Sequence, residues 1–128
     1  MEKKEIKTHS APAAVGPYSQ AVRSGAMLFL SGQIPIDPVS GEPIKGDTAA
    51  QTRQALKNAH AVLEAAGVGF KDVVKATVYL KDITHFAAMN KVYAEFFMPP
   101  YPARSTIEVS NLPKGVDVEI DLIAMVNP

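Results

Sequence analysis

Arg104 is the side chain in this sequence that best fits the binding of a small anion. It shares one face of a predicted strand with Thr106 and Glu108. A guanidinium presents a planar fork that binds a carboxylate through two parallel hydrogen bonds. Each charge-assisted bond contributes about 1.5–3 kcal/mol, which is enough to orient a very small ligand. The pattern therefore predicts that Arg104 holds a carboxylate-bearing molecule.

Two acidic residues near the carboxyl end, Glu119 and Asp121, are predicted to lie close to this arginine. If the last two strands form an antiparallel hairpin with its turn at residues 110–115, Thr106 lies opposite Glu119 and Arg104 lies opposite Asp121. A glutamate there could orient or deprotonate a water molecule. The alternative is a structural ion pair between Arg104 and Asp121, and the pattern leaves both possibilities open.

Other reactive groups are missing or isolated. The chain has no cysteine, which excludes disulfides, thiolate nucleophiles and Cys-ligated metal sites. His9, His60 and His85 have no partner at metal-binding spacing, so we interpret them as structural or exposed and predict no metal site. The sequence also contains no nucleophile-elbow motif and no glycine-rich phosphate loop.

Composition limits the class of protein. The length of 128 residues is typical of one domain, so we predict a single domain over residues 1–128. Thirteen basic and thirteen acidic residues cancel, without the basic stripe that nucleic-acid binding requires. No apolar run reaches transmembrane length, and the charged amino end is unlike a signal peptide. We therefore expect a cytoplasmic protein that binds neither nucleic acid nor membranes.

The elements that would position Arg104 and Glu119 are predicted to follow the order ββαβαββ. Apolar periodicity and turn residues indicate strands at 18–23, 27–30, 73–80, 104–109 and 116–126, and helices at 48–66 and about 84–98. A capping box of Thr48 and Gln51 is predicted to begin the first helix. Such an order is typical of an α/β (α+β) fold in which two helices cover one face of a sheet.

The last strand also indicates an oligomer. One face is apolar along the whole of residues 116–126, as expected for packing under the helices. The other face carries acidic side chains and then turns apolar at Ile123 and Met125. A sheet face in water would more often stay polar, so we predict burial against another subunit. The alternative is that Ile123 is simply exposed, because scattered apolar surface residues are common.

Several segments, taken in order, match the pattern of a known family. They are Ala11–Ala21, Ser31–Pro35, Tyr101–Ser105, Leu112-Pro113 and Val118–Ile120. With these segments the chain resembles the YjgF/RidA family of reactive intermediate deaminases. The resemblance covers nearly the full length, and the order and spacing of the segments make it specific.

The resemblance implies a chorismate-mutase-like fold with one mixed sheet, assembled as a homotrimer with sites between subunits. It implies hydrolysis of 2-imino acids, such as 2-iminobutanoate and 2-iminopropanoate, to 2-oxo acids and ammonia, without a metal or organic cofactor. These intermediates are released by pyridoxal-phosphate dehydratases and damage other enzymes of that type. A family member would therefore protect pyridoxal-phosphate enzymes.

The resemblance also implies a role for individual residues. Arg104 would bind the substrate carboxylate with help from the backbone amide of Thr106, and Glu119 would position the attacking water. The cleft would be lined, partly from a neighbouring subunit, by Tyr18, Ser31, Gly32 and Asn90. Without the resemblance, the segments around Gly16 and Gly32 would be interpreted as turns, and Asn90 as a solvated or capping amide. Many relatives have cysteine where this chain has Thr106, a change that leaves a backbone role intact.

Two other functions remain open from the sequence. The same arginine could serve a non-catalytic module that binds or senses 2-oxo acids. Some relatives are associated with ribonuclease or translation-inhibitor activity, which the neutral charge of this chain disfavours.

Overall fold

Six strands and two α-helices form the regular structure of the computed structural model, which describes residues 2–127. The elements are β1 (Lys3–Ile6), β2 (Ala21–Ser24), β3 (Met27–Gln33), α1 (Thr48–Ala65), β4 (Val73–Leu80), α2 (Phe86–Phe96), β5 (Ala103–Glu108) and β6 (Val118–Met125). None of the helices in this part of the chain is long and apolar enough to cross a bilayer.

The strands form one mixed sheet in the order β1-β2-β3-β6-β4-β5. Only β4 and β5 are parallel, while the other neighbours are antiparallel. Both helices pack on one face, so the predicted ββαβαββ order and fold class are confirmed. The sequence interpretation missed β1, a four-residue edge strand that pairs with β2. Only one of its residues, Ile6, is buried, so it lacks the apolar alternation that indicates a strand.

The predicted hairpin between the last two strands is wrong, because β4 lies between them. In the parallel pairing with β4, Arg104 lies opposite Ala76, whereas Glu119 of β6 lies opposite Tyr79. The chain between β4 and β5 includes α2, and a helical crossover of this kind returns the chain parallel to the strand it left. Ala76 faces the helices and Tyr79 faces away from them. Arg104 and Glu119 therefore lie on opposite faces of the sheet.

The core lies between α1, α2 and the sheet. The helical spacing of apolar residues that predicts the first helix is confirmed, and the fully buried residues of α1 pack against the alternating apolar residues of β6. These residues are Ala55, Leu56, Ala59, Val62 and Leu63 of α1, and Val118, Ile120, Leu122 and Ala124 of β6.

The amino end of α1 differs from the predicted capping box by one residue. Asp47 is the N-cap, and its carboxylate accepts from the backbone N–H of Ala50 at 2.9 Å. Thr48 and Gln51 instead donate to the carboxylate of Asp117 at 3.2 and 3.1 Å. Asp117 therefore points towards α1, and not towards the sheet face that carries Glu119.

The sheet face opposite the helices carries a partly exposed apolar patch. Met27 pairs with Met125, and Phe29 pairs with Ile123, across the β3–β6 ladder. Met27, Phe29 and Met125 each keep 37–39% of their surface exposed. Four apolar side chains in contact form a contiguous surface of the kind that association between subunits buries.

Candidate active site

The side chain of Arg104 lies against two aromatic rings of α2. Its Cζ is 4.6 Å from the ring centroid of Tyr93 and 5.6 Å from that of Phe86. Such contacts stabilise a guanidinium by about 0.5–2 kcal/mol and fix the plane of its fork. The arginine closes one side of a cleft of about 360 Å3, which we call the guanidinium cleft. Its lining residues are Asn90, Tyr93, Ala94, Tyr101, Pro102 and Arg104.

The helix presents its part of this cleft through ordinary helical spacing. Phe86, Asn90 and Tyr93 are four and three residues apart, and such residues share one face of an α-helix. The backbone N–H of Ile83, before the helix, donates to the carboxylate of Glu108 at 2.9 Å and links the start of this region to the end of β5. Helix and strand are thereby held on either side of the cleft.

The guanidinium of Arg104 has no acidic partner. Within residues 2–127, no carboxylate lies within 4 Å of it. The structural ion pair with Asp121 that the sequence left open is therefore not formed, and Asp121 instead accepts a hydrogen bond from Tyr79 on the other sheet face. A half-buried cation without a counter-ion is well suited to bind an anionic ligand.

Strand β5 also offers backbone donors beside Arg104. It is an edge strand, and the amide of Val109 donates to the carbonyl of Leu80 in β4 at 2.9 Å. Backbone amides alternate in direction along a strand, so those of Arg104 and Thr106 point away from the sheet at its open edge. The side-chain hydroxyl of Thr106 is buried, without a hydrogen-bond partner among the described residues.

Glu119 lies on the sheet face opposite the helices, close above Gly32 of β3. A Cβ atom built on Gly32 would lie 2.7 Å from Cδ of Glu119, so only glycine permits this approach. Half-burial of the carboxyl raises the pKa of Glu119, and the charge of Asp121 raises it further. We call the surface formed by Gly32, Tyr79, Glu119 and Asp121 the carboxylate face.

Tyr79 and Asp121 lie beside Glu119 on this face. The Tyr79 hydroxyl donates to Asp121 Oδ2 at 2.8 Å, and Tyr79 lies directly across the ladder from Glu119. The hydrogen bond to Asp121 and partial burial raise the pKa of Tyr79 to about 12. Tyr79 therefore keeps its proton at neutral pH and is the hydrogen-bond donor, and Asp121 is the acceptor.

Tyr18 and Ser31 lie together at a second cleft of about 420 Å3 beside β2 and β3. The Ser31 hydroxyl donates to the Ser19 carbonyl at 2.6 Å. The buried amide of Gln20 donates to the carbonyls of Thr8 and Pro12 at 3.0 and 2.8 Å. These bonds hold the loop that carries Tyr18 against the sheet, while half of the Tyr18 surface stays exposed.

The predicted site residues thus lie in two separate groups in one chain, which we call the two half-sites of the predicted site. Arg104, Asn90 and the Thr106 amide lie at the guanidinium cleft and the neighbouring edge of β5. The other half-site lies on the opposite sheet face and includes Glu119, Gly32, Ser31 and Tyr18. The structure does not bring the two groups together within one chain.

Several residues of these half-sites were missed from the sequence. Tyr93 and Phe86 were interpreted only as residues of the second predicted helix, and Tyr79 only as part of a strand. A helical-face analysis would have placed Phe86, Asn90 and Tyr93 together. No local signal pairs Tyr79 with Asp121, because their contact depends on the β4–β6 register.

The histidines make contacts of their own. His60 stacks on Phe70 at a centroid distance of 5.8 Å, and His85 Nδ1 lies 3.0 Å from the Thr48 hydroxyl. Over residues 2–127, no three His, Asp or Glu side chains are grouped so that they could hold a metal ion.

Comparison with known proteins identifies relatives over almost the whole chain. The family model described as endoribonuclease L-PSP matches residues 8–126. A RutC family protein of Pyrococcus horikoshii is 57% identical over 122 residues, which cover 95% of this chain and 97% of that protein. The Escherichia coli 2-iminobutanoate/2-iminopropanoate deaminase is 50% identical over 125 residues, with coverage of 95% and 97%.

Solved structures confirm the fold. The crystal structure of Escherichia coli TdcF with bound serine superposes with a TM-score of 0.91 at 43% sequence identity. The match covers 97% of this chain and 99% of that one. A small amino acid is therefore bound by a protein that shares this architecture.

Proposed function

The chain belongs to the endoribonuclease L-PSP family, which is the YjgF/RidA family, and from that premise we propose that it is a hydrolytic deaminase of 2-imino acids. Its substrates would be small, such as 2-iminobutanoate and 2-iminopropanoate, and its products the 2-oxo acids and ammonia. The relative from Escherichia coli that carries this activity in its name is identical at half of the aligned positions. The activity would protect pyridoxal-phosphate enzymes in the cytoplasm.

The observation that carries this proposal is the free guanidinium of Arg104. It faces a small cleft, it is held by two aromatic rings, and it has no carboxylate partner in residues 2–127. A 2-imino acid offers one carboxylate that matches the fork of Arg104. The outward amide of Thr106 would donate a further hydrogen bond to that carboxylate.

Glu119 would supply the second requirement, which is an oriented water molecule. Its raised pKa makes it a better base than an exposed carboxylate, and it would accept a proton as the water attacks C2 of the iminium. The C2–O bond forms, and the C2–N π electrons move to nitrogen. Glu119 then returns its proton to that nitrogen, the C2–N bond breaks to release ammonia, and the hydroxyl gives its proton back to Glu119 to leave the 2-oxo acid. An iminium carbon is already electrophilic, so positioning of the reactants supplies most of the catalysis.

A complete site requires a second copy of the chain, because Arg104 and Glu119 lie on opposite sheet faces. We assign this role to a homotrimer of single-domain chains (residues 1–128), in which the guanidinium cleft of one subunit meets the carboxylate face of the next. The apolar patch of Met27, Phe29, Ile123 and Met125 lies on the same sheet face as Glu119, and its burial would stabilise the assembly. Tyr18, Ser31 and Gly32 would then line the cleft across the interface.

The test couples a threonine dehydratase to this protein and follows semicarbazone formation. The wild-type protein should hydrolyse the imine before semicarbazide traps it, and Arg104→Ala should not. Arg53→Ala is the matched control, because Arg53 pairs with Glu95 at 3.0 Å on an exposed surface of α1 and should leave the activity intact. Unchanged trapping by the wild-type protein would exclude these substrates.

The second candidate is a non-catalytic module that binds 2-oxo acids with the same arginine. The variant Glu119→Gln separates the two functions, since glutamine keeps the shape and a hydrogen bond but cannot accept a proton. An enzyme would lose turnover and keep its affinity for a 2-oxo acid, whereas a module has no turnover to lose.

Ribonuclease activity is the third candidate, because the matching family model carries that description. The equal numbers of acidic and basic residues disfavour it. Filter binding at low and moderate salt would detect binding of RNA to the protein, which ribonuclease activity requires.

A further inference from the structure

The hydroxyl of Tyr93 is buried beside Arg104 without a hydrogen-bond partner. Tyr93 is 5% exposed, and in the described part of the chain its Oη makes no hydrogen bond of full geometry: the guanidinium of Arg104 approaches it, but no acceptor takes its proton. Buried polar atoms are almost always paired, because an unpaired one loses its hydration without compensation. An orphan hydroxyl in the lining of a cleft therefore indicates a partner that is absent from the free protein.

The ring that carries this hydroxyl is rigidly held. Phe97 stacks on one side with a centroid distance of 4.2 Å, and the Cζ of Arg104 lies 4.6 Å from the ring centroid. Burial raises the pKa of Tyr93, and the positive charge of Arg104 and the approach of its guanidinium N–H to the hydroxyl oppose that rise only in part. The hydroxyl therefore keeps its proton at neutral pH and is a donor in a fixed position.

We propose that the Tyr93 hydroxyl donates a hydrogen bond to the ligand carboxylate that Arg104 binds, so that Tyr93 is a further binding residue of this site. An ionised carboxylate only accepts, and its two oxygens have room for about four hydrogen bonds. The fork of Arg104 fills two of these positions and the Thr106 amide a third. The Tyr93 hydroxyl supplies the fourth hydrogen bond to the carboxylate. This inference rests on the carboxylate ligand of the proposed function.

The experiment measures binding and stability of Tyr93→Phe, which removes the hydroxyl and keeps the ring. Calorimetric titration uses two probes, 2-oxobutanoate and propanoate, of which the second has no 2-oxo group. Loss of a hydrogen bond to a charged group should weaken both by about tenfold. The melting temperature without ligand should stay the same or rise by up to about 4 °C, because a desolvated hydroxyl is removed.

Tyr79→Phe is the matched control for stability. Its hydroxyl already has a protein partner, Asp121, at 2.8 Å, so its removal should lower the melting temperature by about 4 °C. A similar loss in Tyr93→Phe would mean that its hydroxyl is already satisfied in the free protein, which overturns the proposal. Unchanged affinity for both carboxylates would overturn it equally.

The two probes separate this inference from the proposed function. If propanoate binds and loses affinity in Tyr93→Phe while no imine is hydrolysed, the role of Tyr93 stands and the deaminase proposal fails. If neither carboxylate binds the wild-type protein, both the Arg104 clamp and the role of Tyr93 are wrong.

Discussion

Mixing two inactive variants should restore activity, since the two half-sites lie on opposite faces of the sheet. Arg104→Ala destroys the guanidinium cleft and leaves Glu119 intact, while Glu119→Gln does the reverse. In a mixed assembly of the proposed trimer, a complete site would form wherever the Arg104 of a Glu119→Gln subunit meets the Glu119 of an Arg104→Ala subunit. That site contains neither substitution, because each of its two subunits contributes the side chain that is still wild type.

The expected recovery follows from the symmetry of the assembly. With equal amounts and random association, each of the two contributing subunits is of the required type half of the time, so about one quarter of the sites are intact. If both groups came from the same subunit, no site would be intact. The recovered activity therefore distinguishes the two arrangements without any structural measurement.

The assay is imine hydrolysis after the two variants are unfolded together and refolded, compared with each variant refolded alone. The double variant mixed with the wild-type protein is the control. Sites shared between subunits then keep about one quarter of the activity, whereas sites within one subunit keep about one half. Failure of the Arg104→Ala and Glu119→Gln mixture to recover activity, when the wild-type protein refolds well, would refute a site shared between subunits.

Three further outcomes follow from the carboxylate face. Asp121→Asn removes a charge that raises the pKa of Glu119, so the acid-side midpoint of the pH profile of kcat/KM should move to lower pH. Asp117→Asn is the control and should not move this midpoint, because the carboxylate of Asp117 faces α1. Because the pKa of Glu119 is raised in the folded protein, ionisation of this carboxyl opposes folding. At pH values above that pKa, Glu119→Gln should therefore have a higher melting temperature than the wild-type protein. In acid the difference should disappear, which a pH series of thermal melts would detect. Gly32→Ala places a methyl against the Glu119 carboxylate, which must rotate away, so imine hydrolysis should fall by about 100-fold while the free energy of unfolding in denaturant titrations changes little. Gly69→Ala, with open space at its Cβ, should leave hydrolysis unchanged; equal effects would contradict the close approach.

Much of the fold could be predicted from local pattern. The alternation of residues 116–126 identified the core face of β6, and the spacing of apolar residues identified the buried stripe of α1. These two predictions succeed because burial of alternate or every third to fourth residue is dictated by strand and helix geometry. The role of Arg104 in binding an anion was predicted from its chemistry and its setting in a strand, and it stays a prediction.

The arrangement of the site depended on the tertiary structure. The residues of β5 alternate equally well in a hairpin with β6 and in a parallel pairing with β4, so the sequence did not distinguish them. The parallel pairing places Arg104 under α2, and it separates Arg104 from Glu119 by the thickness of the sheet. The Tyr79–Asp121 bond and the orphan hydroxyl of Tyr93 likewise arise between segments that are distant in the chain. Strand order and register are set by packing among all the elements at once, and no local pattern records them.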